Sequence, residues 1–238
     1  MRVGAIEPVG GQQNDIGASR HDGVEHIPVE GAASLVRACV TDRAAAGPGR
    51  LHDNRGAGLW CDIDCRDVLY EDNIAERNRG AGIFHEISFS AVIRNNVVRH
   101  NGTGGKTWFW GNNILVAASQ DVEVYGNTLT ADAGKCGIVL VDQGRQMKSG
   151  ATYKTRNNNV HDNDTTFEGA ACAGAASDVL PGDENAFVIE NGTNLFDRNV
   201  YRVPRGSGPH RFAWGHAVFG WEELRRAGLE QNGWLITY

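Results

Sequence analysis

The chain has 238 residues, a net charge of −6, and 31 glycines against 6 prolines. That length suits one sizeable core, or one solenoid with caps. The acidic balance argues against a nucleic-acid partner, which needs clustered Lys and Arg, and no apolar run approaches the roughly 20 residues of a membrane span.

Residues 1–50 carry no periodic signal. Gly10-Gly11-Gln12-Gln13 reads as loop, Ala32–Arg37 as strand or short helix, and Ala44–Gly49 as a poor strand. This segment is expected to be an N-terminal cap, or an irregular or decayed first coil. Met1-Arg-Val-Gly-Ala lacks the apolar core of a secretion signal.

From Leu51 a repeat sets in. Asn54-Arg-Gly-Ala-Gly58-Leu-Trp recurs as Asn78-Arg-Gly-Ala-Gly82-Ile-Phe, with weaker copies at Asn112-Asn113-Ile-Leu-Val and Cys136-Gly137-Ile-Val-Leu. Short apolar runs ended by Asn and Gly, at a period in the low twenties, mark a solenoid. Aligning Gly58, Gly82, Asn113 and Gly137 puts Leu59, Ile83, Ile114 and Ile138 in one inward column. Strand alternation then turns Cys61, His85, Val116 and Leu140 inward as well. Two residues further on come Ile63, Ile87, Ala118 and Asp142, where the last coil is expected to lose register.

A second strand per coil is predicted over Asp67–Asn73, Ala91–Asn96, Asp121–Asn127 and Tyr153–Asn159, each followed by a third short segment. Asn73, Asn96, Asn127, Asn159 and Asn199 are expected to stack at one corner, because Asn tolerates left-handed backbone and its amide can bond to copies above and below. Three short strands per coil with an Asn corner give an all-β fold, a right-handed parallel β-helix (solenoid) of about four to five coils over residues 51–203. Residues 204–238 are expected to form a C-terminal cap. It would hold a short helix across Phe219–Gly228, with Trp214, Trp221 and Trp234 covering the last coil.

Longer coils shed their extra residues as loops on one face. The insertions are Gly102–Gly111, with Lys106, Trp108 and Trp110, and Gly144–Ala151, with Arg145. The five cysteines are irregularly spaced, and no Cys-x-x-Cys pair suggests zinc. Cys61 and Cys65, four apart on a predicted strand, lie too far apart to bridge, so the cysteines are expected to be unpaired, mostly buried thiols.

Gly58-Leu-Trp-Cys-Asp-Ile-Asp64 and Gly82-Ile-Phe-His-Glu-Ile-Ser88, with the tail from Phe212-Ala-Trp214 to Gly228, resemble the right-handed parallel β-helix superfamily. That superfamily includes the pectate-lyase-like proteins, and the nearest likeness is to bacterial β-helix repeat proteins of undefined activity. The resemblance implies a carbohydrate-active protein, extracellular or periplasmic, with a polysaccharide or oligosaccharide partner and neither nucleic acid nor membrane. It extends to lyases, glycoside hydrolases, alginate epimerases and non-catalytic surface solenoids. The epimerase motif Asp-Pro-His-Asp/Glu is matched only by His85-Glu86.

Parity locates the candidate site. If Leu59, Cys61 and Ile63 face in, then Trp60, Asp62 and Asp64 face out, joined in the next coil by Phe84, Glu86 and Ser88. One sheet face then carries aromatics beside carboxylates. Asp62, Asp64, Glu86 and His85 are the catalytic candidates. Trp60, Phe84, Trp108, Trp110, Lys106 and Arg145 are the substrate-binding ones. Asp62 and Asp64 would lie about 6.6 Å apart and Asp62 and Glu86 about 4.8 Å, spacings that bracket the inverting and retaining glycosidase geometries. No protein metal site is expected. A calcium ion could instead bridge these carboxylates, since it takes several carboxylate oxygens. The competing reading is a non-catalytic carbohydrate-binding or scaffold solenoid.

Overall fold

The computed structural model describes residues 48–105, 108–179 and 184–238, with three short strands before them, Ser19–His21, Val24–His26 and Ala44–Ala46. Three sheets run the length of the molecule, and the chain visits each once per coil. Sheet A holds Ala44–Ala46, Val68–Glu71, Ala91–Arg94, Val122–Tyr125, Asn159–His161 and Leu195–Asp197 in parallel. Sheet B runs from Arg50–His52 through Ile74–Glu76, Val97–Arg99, Thr128–Ala131, Asp164–Phe167 and Val200–Val203 to Trp234–Thr237. Sheet C stacks Leu59–Asp62, Ile83–Glu86, Asn112–Ala117, Cys136–Asp142, Cys172–Ser177 and Arg211–Gly215. Six parallel rungs therefore stand in sheet C, beyond the expected four to five coils. The Ala44–Ala46 run, a poor strand by composition, pairs with Val68–Glu71 because parallel pairing draws on backbone groups.

The inward column follows the expected register. Leu59, Ile83, Ile114 and Ile138 pair in sequence and are buried. The register is also kept at the fourth coil: Val141 pairs with Ala117, and Asp142 is buried, accepting a hydrogen bond from Thr155 Oγ1 at 3.3 Å. Ile63 departs from expectation and is exposed. The strand ends at Asp62, and Ile63 and Asp64 both adopt left-handed backbone (φ 64° and 60°), so alternation stops one residue early.

All three corners are held by side-chain ladders. At the A-to-B corner, Asn73, Asn96, Asn127, Asn163 and Asn199 each offer backbone and side-chain N–H groups to the carboxamide or carboxylate oxygens of the next coil. The rung is Asn163, not Asn159. The insertion after Cys136–Asp142 lengthens this coil to 36 residues, so the second strand is Asn159–His161 and not Tyr153–Asn159. The ladder ends on Glu230, whose buried carboxylate takes the place of a further Asn and also receives the Tyr201 hydroxyl at 2.6 Å. Burial raises the Glu230 carboxyl above its ordinary range, against the pull of Tyr201 and Asn199.

A second ladder, Asn54–Asn78–Asn101–Asn113, holds the B-to-C corner. It explains the Asn-Arg-Gly-Ala-Gly repeat. A β-carbon on Gly58 would lie 2.8 Å from Asn78 Nδ2 and 2.5 Å from the Gly82 carbonyl, and one on Gly82 would lie 2.7 Å from Asn101 Nδ2. Glycine stands there because the neighbouring coil fills the space, with its carboxamide at both positions, the Gly82 carbonyl over Gly58 and the Val98 side chain over Gly82. The third corner uses Ser88, Ser119, Asn158 and Asn194.

The cap is a helix, Trp221–Arg226, shorter than expected, with Glu223 accepting from the Gly220 amide. Trp221 lies between Tyr201 and Phe212, at 5.8 and 5.7 Å, and Trp214 meets Phe196 edge-on. Trp234 does not cover the last coil; it points outward from the edge strand and is exposed. A second helix, Glu184–Asn191, packs on sheet C and carries no periodic signal in the sequence. The thiols also depart from expectation. Cys136 and Cys172, on adjacent coils, form a disulfide, while Cys61 and Cys65 remain buried thiols. Pairing follows from stacking: rungs bring together residues 36 apart in sequence.

Glu76, almost wholly buried, is ringed by Arg50, Arg77 and Arg99 at 2.5, 3.0 and 2.7 Å. Burial opposes its ionisation, but the three guanidiniums prevail and hold the carboxyl at about 2, against an ordinary 4.5. A carboxyl depressed in the fold contributes stability above its unfolded pKa and loses it as pH falls through the folded one. The urea midpoint is therefore expected to fall between pH 4.5 and 2, and Glu76→Gln to lower the midpoint at pH 7 and flatten that pH dependence. In the first ladder, Asn127 accepts two bonds from Asn96 and donates to Ile93, Tyr125 and Asn163. Asn127→Ala breaks all five, but the Tyr125 carbonyl keeps the Asn95 amide, Asn163 Oδ1 keeps the backbone amide of residue 127, and Asn96 Nδ2 keeps two carbonyls, so a loss of about 3 kcal/mol and a melting point lower by about 10 °C are expected by calorimetry.

Candidate functional site

The outer face of sheet C is divided in two. Over the middle and later coils it is covered. Leu115, Ala117, Val139, Val141 and Ala213 form an apolar layer with Phe109 and the Cys136–Cys172 disulfide. Over the first two coils the face is open among the described residues, and there the chain places Trp60 and Phe84.

Trp60 and Phe84 pair across the Leu59–Asp62 and Ile83–Glu86 strands, their rings stacked at 5.6 Å and 6°. Trp110, on a 3-10 turn over Trp108–Trp110, meets Phe84 edge-on at 6.5 Å. These three rings and Leu115 floor a cavity of about 300 Å³, rimmed by Arg55, Arg79 and the glycines of the repeat. The two arginines occupy the same place in successive Asn-Arg-Gly-Ala-Gly units and are exposed.

A polar cluster lies beside this ledge. Glu86, largely buried, accepts from Trp60 Nε1 at 3.1 Å and has Arg145 Nη1 3.6 Å from its other oxygen. Arg145 rides on a short hairpin closed by the Gln146–Thr152 bridge and the Met147–Ala151 hydrogen bond. At the base of that hairpin Tyr153 is buried and donates its hydroxyl to Asp64 Oδ1 at 2.6 Å. Desolvation first, then Asp64, pushes the Tyr153 phenol up to about 12, so it stays protonated at neutral pH and keeps the proton it donates to Asp64. Asp62 pairs with Glu86 in register and is half-buried.

The structure thus brings Trp60, Phe84, Trp110, Asp62, Asp64, Glu86 and Arg145 onto one side of sheet C. His85 stands apart. It is fully buried inside the coil, with Nε2 donating to the Phe89 carbonyl at 2.7 Å and Nδ1 accepting from the Tyr70 hydroxyl at 3.2 Å. Burial lowers its pKa and keeps it neutral; it is a core residue, not a proton carrier for a ligand. Lys106 lies outside the described residues, and of Trp108 only the backbone is described. The in-strand spacing expected for Asp62 and Asp64 does not apply, since Asp64 lies past the strand end in left-handed backbone. Sequence reasoning missed Arg55, Arg79 and Tyr153. The first two carried a signal, an arginine repeated beside each aromatic; Tyr153 carried none, because its partner Asp64 is 89 residues away.

Among the described residues no helix is long and apolar enough to cross a membrane. No curated protein and no solved structure matches the chain. Residues 50–129 match the family model described as a right-handed β-helix region. The three sheets carry the same parallel register on beyond that match, through the rungs at Asn163 and Asn199. The chain is a right-handed parallel β-helix protein.

Proposed function

We propose that the protein is a carbohydrate-active β-helix protein that holds a polysaccharide or oligosaccharide bearing acid groups on the open part of sheet C. The observation that carries this reading is the parallel Trp60–Phe84 pair on the floor of a cavity rimmed by Arg55 and Arg79. Flat ring faces suit the C–H faces of sugars, and guanidinium forks suit carboxylates. A cavity of this size stands at the small end of ligand sites. The Cys136–Cys172 disulfide suits an oxidising, extracellular or periplasmic setting.

Binding is favoured over turnover because the carboxylates are already engaged. Glu86 is held by Trp60 and Arg145, and Asp64 by Tyr153. The same engagement argues against a calcium ion there: the Glu86 and Asp64 oxygens face an indole N–H, a guanidinium and a phenol. The second reading is a lyase or glycoside hydrolase at Asp62 and Asp64. It is favoured by the meeting of a protonated phenol, carboxylates and the Arg145 cation at one edge of the ledge.

The test is a panel of uronate-bearing and neutral polysaccharides, followed by calorimetry and tryptophan fluorescence with and without chelator. Uronate-bearing glycans are expected to bind. Trp60→Ala and Arg79→Ala should each weaken binding about tenfold, the equivalent of about 1.4 kcal/mol, whereas Asp62→Asn should leave it within about twofold. Absence of binding to every glycan overturns the proposal. Unsaturated uronates or new reducing ends that vanish in Asp62→Asn favour the enzymatic reading.

A further inference from the structure

The corner where sheet B ends carries a feature separate from the aromatic ledge. His100, Asp132 and Glu168 are each the first residue after a sheet B strand, following Val97–Arg99, Thr128–Ala131 and Asp164–Phe167. Those strands are neighbours in register, with Arg99 against Thr130 and Ala131 against Phe167. One imidazole nitrogen and two carboxylate oxygens, from three successive coils, therefore converge within 4.8 Å of one another. His100 Nδ1 and Asp132 Oδ1 are 2.5 Å apart.

The backbone beneath each group is fixed. His100 takes left-handed backbone (φ 54°) and its amide donates to the Thr130 carbonyl at 2.9 Å. Asp132 opens a turn closed by the Lys135 amide at 2.9 Å, with Gly134 at φ 76°. The Glu168 amide donates to the Ala131 carbonyl at 2.9 Å. His100 and Asp132 are half-buried and Glu168 is exposed, so the trio is held in place yet open to solvent on one side.

We propose that His100, Asp132 and Glu168 bind one divalent ion of the zinc class, which staples three consecutive coils at the sheet B corner. An imidazole with two carboxylates suits zinc and its transition-metal neighbours, whereas calcium and magnesium take all-oxygen sites. Three protein ligands leave a position for water. Bonds of about 2.1 Å in a tetrahedron place ligand atoms about 3.4 Å apart, so the His100–Asp132 pair opens by about 1 Å as the ion replaces the proton between them. Another grouping of histidine and carboxylates, His161 with Glu123 and Asp162, is less suited. Arg198 Nη2 sits 3.1 Å from His161 Nδ1 and 2.9 Å from Asp162, where it would repel a cation.

The experiment is calorimetric titration of untagged, chelator-treated protein at pH 7 with zinc chloride, and separately with manganese and calcium chloride, alongside thermal melts. One zinc per chain is expected, with binding abolished in His100→Ala and weakened at least about tenfold in Asp132→Asn and Glu168→Gln, and unchanged in His161→Ala. Excess zinc should raise the melting point of the native chain and not that of His100→Ala. Circular dichroism of the metal-free variants checks that they fold; should His100→Ala fail that check, Glu168→Gln at an exposed position decides. Zinc uptake that persists in a folded variant, uptake lost equally in His161→Ala, binding of calcium alone, or no stoichiometric uptake overturns the proposal.

Discussion

Everything in this molecule depends on hydrogen bonds that run along its axis, from each coil to the next. Parallel rungs satisfy strand backbones, but at the corners the chain turns and its N–H and C=O groups lose sheet partners. A buried backbone group without a partner costs about as much as a lost hydrogen bond. The asparagine ladders solve this at each turn: one carboxamide accepts from the backbone of the preceding coil and donates to carbonyls of its own coil and of that same preceding coil. The left-handed backbone that recurs beside the ladders, at Asp72, Asn95, Asp162 and Arg198, belongs to the same turns. Glu230 closes the stack with a carboxylate where a carboxamide would have needed another coil to answer it.

The corner ladder also sets what the sheets can carry. Once Asn78 and Asn101 occupy the space over Gly58 and Gly82, those positions can hold no side chain, and the strand that follows begins at a fixed phase. That phase points Leu59 and Ile83 inward and Trp60 and Phe84 outward. The aromatic pair is thus placed by the repeat itself. Arg55 and Arg79, inside the repeat, are placed by the same phase at the rim of the same cavity.

This coupling explains which features were legible in the sequence. The inward column, the sheet C face and the alignment of Asp62 with Glu86 follow from a two-residue period laid over a repeat, and both are local. Asn159 was misread for Asn163 because the 36-residue coil shifts its corner by four positions, and a run of three asparagines, Asn157 to Asn159, offers a false match. The Cys136–Cys172 bridge, the Tyr153–Asp64 bond and the helix over sheet C were illegible for another reason. Each joins a rung to a neighbouring rung or to an insertion, and irregular insertion lengths hide which residues come to share a level. His85 shows the reverse case: its inward parity was legible, and its burial between Tyr70 and Phe89 follows from that parity alone.

If the proposed glycan site is correct, the covered and open halves of sheet C limit how long a ligand can lie on it. Leu115, Ala117, Val139 and Val141 are outward by parity, yet they are buried in an apolar layer with Phe109, Cys136 and Cys172. A chain of sugars laid along the axis therefore meets open aromatic surface over two rungs, about 10 Å at the usual strand spacing, before it reaches Trp110 and that layer. A polymer crossing the coils would be blocked there; a chain end, or a segment running across the rungs from the arginine rim towards Asp62, would not. Under the proposed carbohydrate-binding reading, this ledge would suit a short stretch or a terminus, with the acid groups of the ligand at Arg55 and Arg79 and its far edge at the Asp62–Glu86 rung.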